Sequence, residues 1–139
     1  SLGATLFLNP VSMDVSREIE AAGIPNVDRV IECVGLSATM ESALESAGRG
    51  AVVVLFGLGA PGSSFAFRQY DAFQKELVVK TSYINPNCTE RAVALLGSGA
   101  LQLEPLISGV LTLEEMAEEL VTREHFKRGK VLAEIVKEV

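Results

Sequence analysis

Residues 51–56, Ala51-Val52-Val53-Val54-Leu55-Phe56, are six consecutive apolar side chains closed by Gly57, and no other feature constrains the fold so tightly. The run is too short for a helix, and a strand with one wet face would alternate apolar with polar residues. It therefore predicts a central, fully buried strand of the kind found in parallel sheets. Two further β-rich runs, Asp28 to Val34 and Leu77-Val78-Val79, are predicted to flank it in space. Glu32, in the middle of the first of these, is the one odd residue.

Helical patterns fall between the strands. Val15, Ile19 and Ala22 recur at i, i+4 and i+7, with Ser12 or Asp14 to cap the start and Gly23 to end the helix. Ser37 is placed to cap a second helix, in which Met40, Ala43, Leu44 and Ala47 form one apolar stripe before Gly48. Asn87 with Glu90 opens a third, carrying Ala92, Val93, Leu95 and Leu96 up to Gly97, and Thr112-x-x-Glu115 is a capping box that starts a fourth through Met116, Ala117, Leu120 and Val121. Thr5-Leu6-Phe7-Leu8, stopped by the turn dipeptide Asn9-Pro10, reads as a short strand, and Val131 to Val136 is a last apolar run after Gly129-Lys130. Strand and helix alternate with short links, which selects an α/β fold with a parallel sheet and helices on both faces. No repeat, low-complexity tract or linker divides the 139 residues, so they form one domain or part of one.

Composition removes several classes of function. With 48% apolar residues the chain is not disordered, and its length suffices for a core without metal or disulfide staples. Twelve basic residues against eighteen acidic ones give a net charge of −6, which excludes a nucleic-acid partner. No apolar run approaches the roughly 18 residues of a membrane span. Ser1-Leu2-Gly3 shows neither an initiator methionine nor a signal sequence, so the natural start is expected to lie upstream. Two cysteines without a C-x-x-C pair point to a reducing, cytoplasmic setting. Cys33, Cys88 and the single His125 stand at spacings unrelated to structural zinc sites. Cys33 reads as a buried small hydrophobe, and His125, within Arg-Glu-His-Phe-Lys-Arg, as part of a solvated helix end.

Gly57-Leu58-Gly59-Ala60-Pro61-Gly62 fits G-x-G-x-x-G literally and follows the best strand. The context fails, because a dinucleotide fingerprint opens a helix whose N–H groups face the phosphates. Ser63-Ser64-Phe65-Ala66-Phe67 instead alternates as extended chain does, Pro61 removes one donor, and Glu76 precedes a strand where the ribose-binding acid should end one. The motif is better read as a flexible turn at the carboxyl edge of the sheet, where open parallel sheets meet ligands.

In order and spacing, Leu2-Gly3-Ala4-Thr5, Asn9-Pro10, Asp28-Arg29-Val30-Ile31-Glu32-Cys33-Val34-Gly35, the run ending at Gly57, Gly97-Ser98-Gly99 with Pro105-Leu106-Ile107, and Gly129-Lys130-Val131 together resemble the C-terminal part of medium-chain, zinc-type alcohol and polyol dehydrogenases. The resemblance covers nearly the whole chain. It implies that residues 1–139 are the C-terminal part of a Rossmann domain binding NAD or NADP: an incomplete doubly wound parallel sheet lacking its first two strands. Position by position, it implies that Val34 and Gly35 lie beside the adenosine half of the cofactor. Phe56, Gly57 and Leu58 would lie along the nicotinamide side, Ser82 and Tyr83 would close that pocket, and Lys130 would approach the pyrophosphate. Strand-end packing for Val34, Phe56 and Leu58, and a solvated cation for Lys130, are the plainer alternatives.

The same resemblance implies that the glycine fingerprint, the zinc ligands and the proton relay lie outside this chain. The parent would be an oxidoreductase moving hydride between a small alcohol or polyol and NAD(P), cytoplasmic and homo-oligomeric, while this chain alone would be inactive and hold no catalytic residue and no metal. A zinc-free quinone or enone reductase of the same fold and a non-catalytic αβ interaction domain are the competing readings. In the Rossmann strand order 3-2-1-4-5-6, Thr5–Leu8 would have no neighbour. It is expected either to move in beside the Asp28–Val34 strand or to leave edges that join two chains, with Ser64–Phe67 as a further candidate edge.

Overall fold

Three short β-rich segments pair as the hydrophobic pattern demands. In the computed structural model, which describes residues 3–84 and 86–135, β1 (Arg29–Glu32), β2 (Val52–Leu55) and β3 (Val78–Thr81) form a parallel sheet in the order β1-β2-β3. Val53 stands in register with Val30 on one side and Val79 on the other. The run at 51–56 is thus the central strand. These strands belong to the first of two units, Thr5–Pro86, which also holds α1 (Val15–Ala21), α2 (Ser37–Ser46) and α3 (Gln69–Gln74).

The core of this unit is the contact between α2 and β2: Ala43, Leu44 and Ala47 of the helix stripe meet Ala51, Val53 and Leu55, with Val30, Met40, Phe65 and Leu77 packed around them. Val53 is fully buried. The expectation that the strand is buried on both faces is corrected. Along β2 burial alternates, and the opposite face stays open, with Ile31 65% exposed. α2 covers one side only, and α1 packs on α2.

Local signals set the helix ends. Asp14 caps α1 by accepting from the Arg17 amide at 3.1 Å, and Gly23 follows with φ +71°. Ser37 does not cap α2, which has Leu36 at that position, and the Thr39 hydroxyl accepts from the Leu36 amide instead. Thr5–Leu8 forms no strand among the described residues, so its predicted pairing with β1 is not made. Four residues have too little apolar surface to order a ladder by themselves, and Phe7 is 76% exposed.

The second unit, Ser1–Ala4 with Asn87–Val139, contains α4 (Thr89–Gly97), a 3-10 turn (Glu104–Leu106), β4 (Ile107–Leu111), α5 (Leu113–Thr122) and β5 (Lys130–Ala133). β4 and β5 pair in parallel, with an irregularity between Ile107 and Gly109. Thr112 and Glu115 cap α5 reciprocally, as their spacing predicts. β4 escapes a hydrophobic-run criterion because Ser108 and Gly109 interrupt it. Leu2 and Val136, used above in sequence patterns, lie outside the described residues.

Candidate functional site

The carboxyl ends of β1 and β2 are tied together by the residue that looked out of place in the sequence. Glu32 ends β1 on the covered face and is 4% exposed. Its Oε1 accepts from the amides of Val34 (2.7 Å) and Gly35 (2.8 Å) and from the Thr39 hydroxyl (2.7 Å). Its main-chain carbonyl accepts from the amides of Phe56 and Gly57, each at 2.8 Å. Burial pushes the Glu32 carboxyl up, but the Gly35 amide, the Thr39 hydroxyl and the Val34 amide outweigh it. The group is held below the ordinary value of 4.5.

The turn after β2 lies directly on the turn after β1. Gly35 has φ +86°, and a Cβ there would stand 2.5 Å from the Leu58 carbonyl carbon. A Cβ on Gly57 would lie 2.6 Å from Glu32 Oε2 and 2.7 Å from the Val34 carbonyl carbon. Both positions need glycine because two backbones meet there.

From Leu58 the chain runs without a helix until Gln69, turning at Pro61-Gly62 and continuing from Ser63 as an extended strap, as the alternation in residues 63–67 predicts. The strap is pinned along α2. Ser37 Oγ donates to the Ser64 carbonyl at 2.6 Å, Glu41 Oε1 accepts from the Ala66 amide at 2.8 Å, and Glu45 pairs with Arg68 at 2.8 Å. Four residues of helix advance about 6 Å and two extended residues about 6.6 Å, so the anchors keep step. The spacing Ser37, Glu41, Glu45 is legible in the sequence once the strap is known to run beside it. A cavity of about 460 Å³ opens beyond the strap, lined among others by Leu44, Phe67, Tyr70 and Lys75, and includes none of the predicted site residues.

The fold brings Val34, Gly35, Phe56, Gly57 and Leu58 together at one edge. Gly35 is buried, whereas Val34, Phe56 and Leu58 present exposed apolar side chains beside it. Ser82 and Tyr83 follow β3 at the same carboxyl edge, where the Ser82 amide donates to the Leu55 carbonyl at 3.3 Å and Tyr83 is exposed. Lys130 belongs to the other unit. It is exposed at the start of β5, and its carbonyl accepts from Ser108 Oγ at 3.1 Å.

Two expectations about single residues are corrected. Cys33 is exposed, because β1 points it away from the face that α2 covers. His125 is not simply solvated: its Nδ1 lies 2.8 Å from Glu119 Oε2, and a Cβ on Gly109 would stand 3.0 Å from its ring. Glu119, 4% exposed, also accepts from the amides of His125 (2.7 Å) and Phe126 (3.0 Å), and so closes the turn after α5. Burial would raise the Glu119 carboxyl, and the His125 side chain with the Phe126 and His125 amides lowers it further than burial raises it. Nothing in the sequence singled out Glu119 from the neighbouring acids of α5. Among the described residues, no group of three or more His, Cys, Asp or Glu is placed to hold a metal ion.

The profile of a family described as zinc-binding dehydrogenase matches residues 1–98. A zinc-type alcohol dehydrogenase-like protein of Escherichia coli K12, YdjL, is 30% identical over 118 residues, covering 84% of this chain and 33% of that protein. D-arabinitol dehydrogenase 1 of Uromyces fabae is 26% identical over 93 residues, covering 67% of this chain and 27% of its own length. Among solved structures, a zinc-binding dehydrogenase of Sinorhizobium meliloti 1021 bound to NADP superposes with a TM-score of 0.78 at 31% identity, covering 94% of this chain and 39% of that one. The chain thus spans about a third of the length of these relatives.

Proposed function

The chain belongs to the zinc-binding dehydrogenase family, and from that premise we propose that it supplies the adenosine and nicotinamide edge of an NAD(P) site in an alcohol or polyol dehydrogenase. The observation that carries this reading is the convergence of three turns, Val34-Gly35, Gly57-Leu58 and Ser82-Tyr83, at the carboxyl edge of one parallel sheet. Open parallel sheets bind their ligands there. The fit to a nucleotide is physical: exposed Val34, Phe56, Leu58 and Tyr83 offer apolar surface to flat rings, beside backbone that glycine leaves bare.

Bound NAD(P) supplies the hydride acceptor. The work of this chain is to seat the rings, hold the turns at fixed separation and keep water from one side of the nucleotide. Val34 and Gly35 take the adenosine side, Phe56, Gly57 and Leu58 the nicotinamide side, and Ser82 and Tyr83 the closing wall. No zinc-dependent step is assigned to these residues, because none of them is placed to ligate a metal. The polyol reading draws support from the relative that acts as a D-arabinitol dehydrogenase. The chain by itself is proposed to lack turnover.

Amide-resolved NMR of the 139-residue chain titrated with NADP and NAD tests this. The expected result is weak, millimolar-range binding, with shifts centred on Val34, Gly35, Gly57 and Leu58 and no alcohol oxidation. Shifts absent from those residues would overturn the assignment. A micromolar dissociation constant with turnover would overturn the claim that the chain alone is inactive.

A further inference from the structure

We infer that Glu32 is the positioning residue of this edge: its buried carboxylate locks the Val34-Gly35 turn against Gly57 and so sets the separation of the two turns that flank the nucleotide. The inference rests on the reading of the edge as an NAD(P) site.

Glu32 occupies a position where an apolar side chain would serve the core. It lies on the covered face of β1, in register with buried Leu55. A carboxylate there loses its hydration, a cost tolerated only when hydrogen bonds replace the water. The replacement is one-sided. Oε1 takes three donors, whereas Oε2 has no hydrogen-bond partner although it is sealed from solvent.

The position of Oε2 accounts for this asymmetry. It faces the Cα of Gly57, in the space a Cβ would fill, so the carboxylate acts as a spacer on one side and a bonded anchor on the other. Oε1 fixes the amides of Val34 and Gly35. Oε2 meets the next turn by contact, and the main-chain carbonyl of Glu32 holds the amides of Phe56 and Gly57. One residue therefore reaches four of the five β1 and β2 positions assigned to the cofactor. Being sealed, it does not touch the nucleotide itself and acts through the turns.

A role confined to stability would lower the melting temperature and leave ligand affinity untouched, which gives the test its contrast. In the NADP titration of the 139-residue chain, Glu32→Gln removes the charge that holds two amides and a hydroxyl. It is expected to displace the Val34 and Gly35 amide resonances in the unliganded chain and to weaken NADP about tenfold, the loss of one to two charge-assisted bonds. The Val53 and Leu55 amides keep their positions if the core is intact. Leu44→Ala, which truncates the core at a buried residue that bonds neither turn, is expected to lower the melting temperature and still bind NADP within about twofold of the parent chain. Should Glu32→Gln fail to fold, Glu32→Asp decides, since it keeps the charge and retracts it by one methylene. It is expected to weaken NADP about fivefold. Folded Glu32 variants with unchanged NADP affinity overturn the inference, and so does a folded Leu44→Ala chain that loses as much affinity as Glu32→Gln. A parent chain in which NADP leaves Val34, Gly35, Gly57 and Leu58 unshifted overturns the underlying site assignment instead.

Discussion

Gly57 approaches Gly35 so closely that a Cβ on Gly57 would run into the Gly35 amide nitrogen, and the same Cβ would stand 2.6 Å from Glu32 Oε2. Neither neighbour is the free end of a flexible side chain, so the clash is relieved only by moving a turn. Gly57→Ala is therefore expected to destabilise the chain by about 1–3 kcal/mol, the usual range for overpacking a close contact. Urea unfolding should show a lower midpoint with unchanged slope. A loss under about 0.5 kcal/mol would mean that the two turns are not in contact in solution.

Val53 carries the second prediction. It is fully buried between β1 and β3 beneath α2, and no basic side chain belongs to the core cluster around it. Val53→Asp would place an unpaired charge there, at a cost of more than about 4 kcal/mol. The variant should be unfolded or insoluble. A soluble, cooperatively melting protein would remove the basis for making 51–56 the central strand.

Acid should unfold the chain through its two buried carboxylates. Both are held below their ordinary 4.5: Glu32 because donors from Gly35, Thr39 and Val34 outweigh burial, and Glu119 because the bonds from His125 and Phe126 do the same. A carboxyl whose folded value is depressed adds stability above its unfolded value, and that stability is lost as pH falls through the folded value. Unfolding midpoints should thus hold steady from neutral pH down to about 4.5 and then fall. Glu32→Gln should flatten this limb while lowering stability at neutral pH. Parallel limbs in parent and variant would show that Glu32 is not held ionised by its donors.

The parts of the fold that were legible in the sequence are those set by local pattern. The apolar run at 51–56, the stripe Met40-Ala43-Leu44-Ala47, the Asp14 cap and the Thr112-x-x-Glu115 box all fix their elements through contacts within a few residues. What was not legible depends on distant partners. Thr5–Leu8 has the composition of a strand, but pairing needs a neighbouring edge that its own residues do not supply. β2 alternates in burial despite its uniform composition, because exposure is decided by what packs on each face. At the site, Val34-Gly35 and Gly57 could be placed by their position after strands, whereas the roles of Glu32 and Thr39 emerged only when the two turns were seen to meet. Glu119 shares its sequence surroundings with Glu114, Glu115 and Glu118, and only the return of the chain at His125 distinguishes it.

The last prediction concerns the sheet edges. In the order β1-β2-β3 each outer strand is paired on one side, and Thr5–Leu8 does not supply the missing neighbour among the described residues. The Ser64–Phe67 segment is not a free edge either, since the Ser64 carbonyl and the Ala66 amide are bonded to Ser37 and Glu41. Unpaired strand backbone next to apolar side chains invites another chain, and β1 presents Ile31 to solvent on the face that α2 leaves open. We therefore expect the chain to associate with a second copy through β1, which joins two sheets and covers that face. Sedimentation should show a dimer or larger species that dissociates on dilution. Ile31→Lys, which adds a charge where the side chain is already exposed, should shift the equilibrium to monomer without lowering the melting temperature. A parent chain that remains monomeric at high concentration would contradict the edge argument. Dimers unaffected by Ile31→Lys would place the contact on another surface.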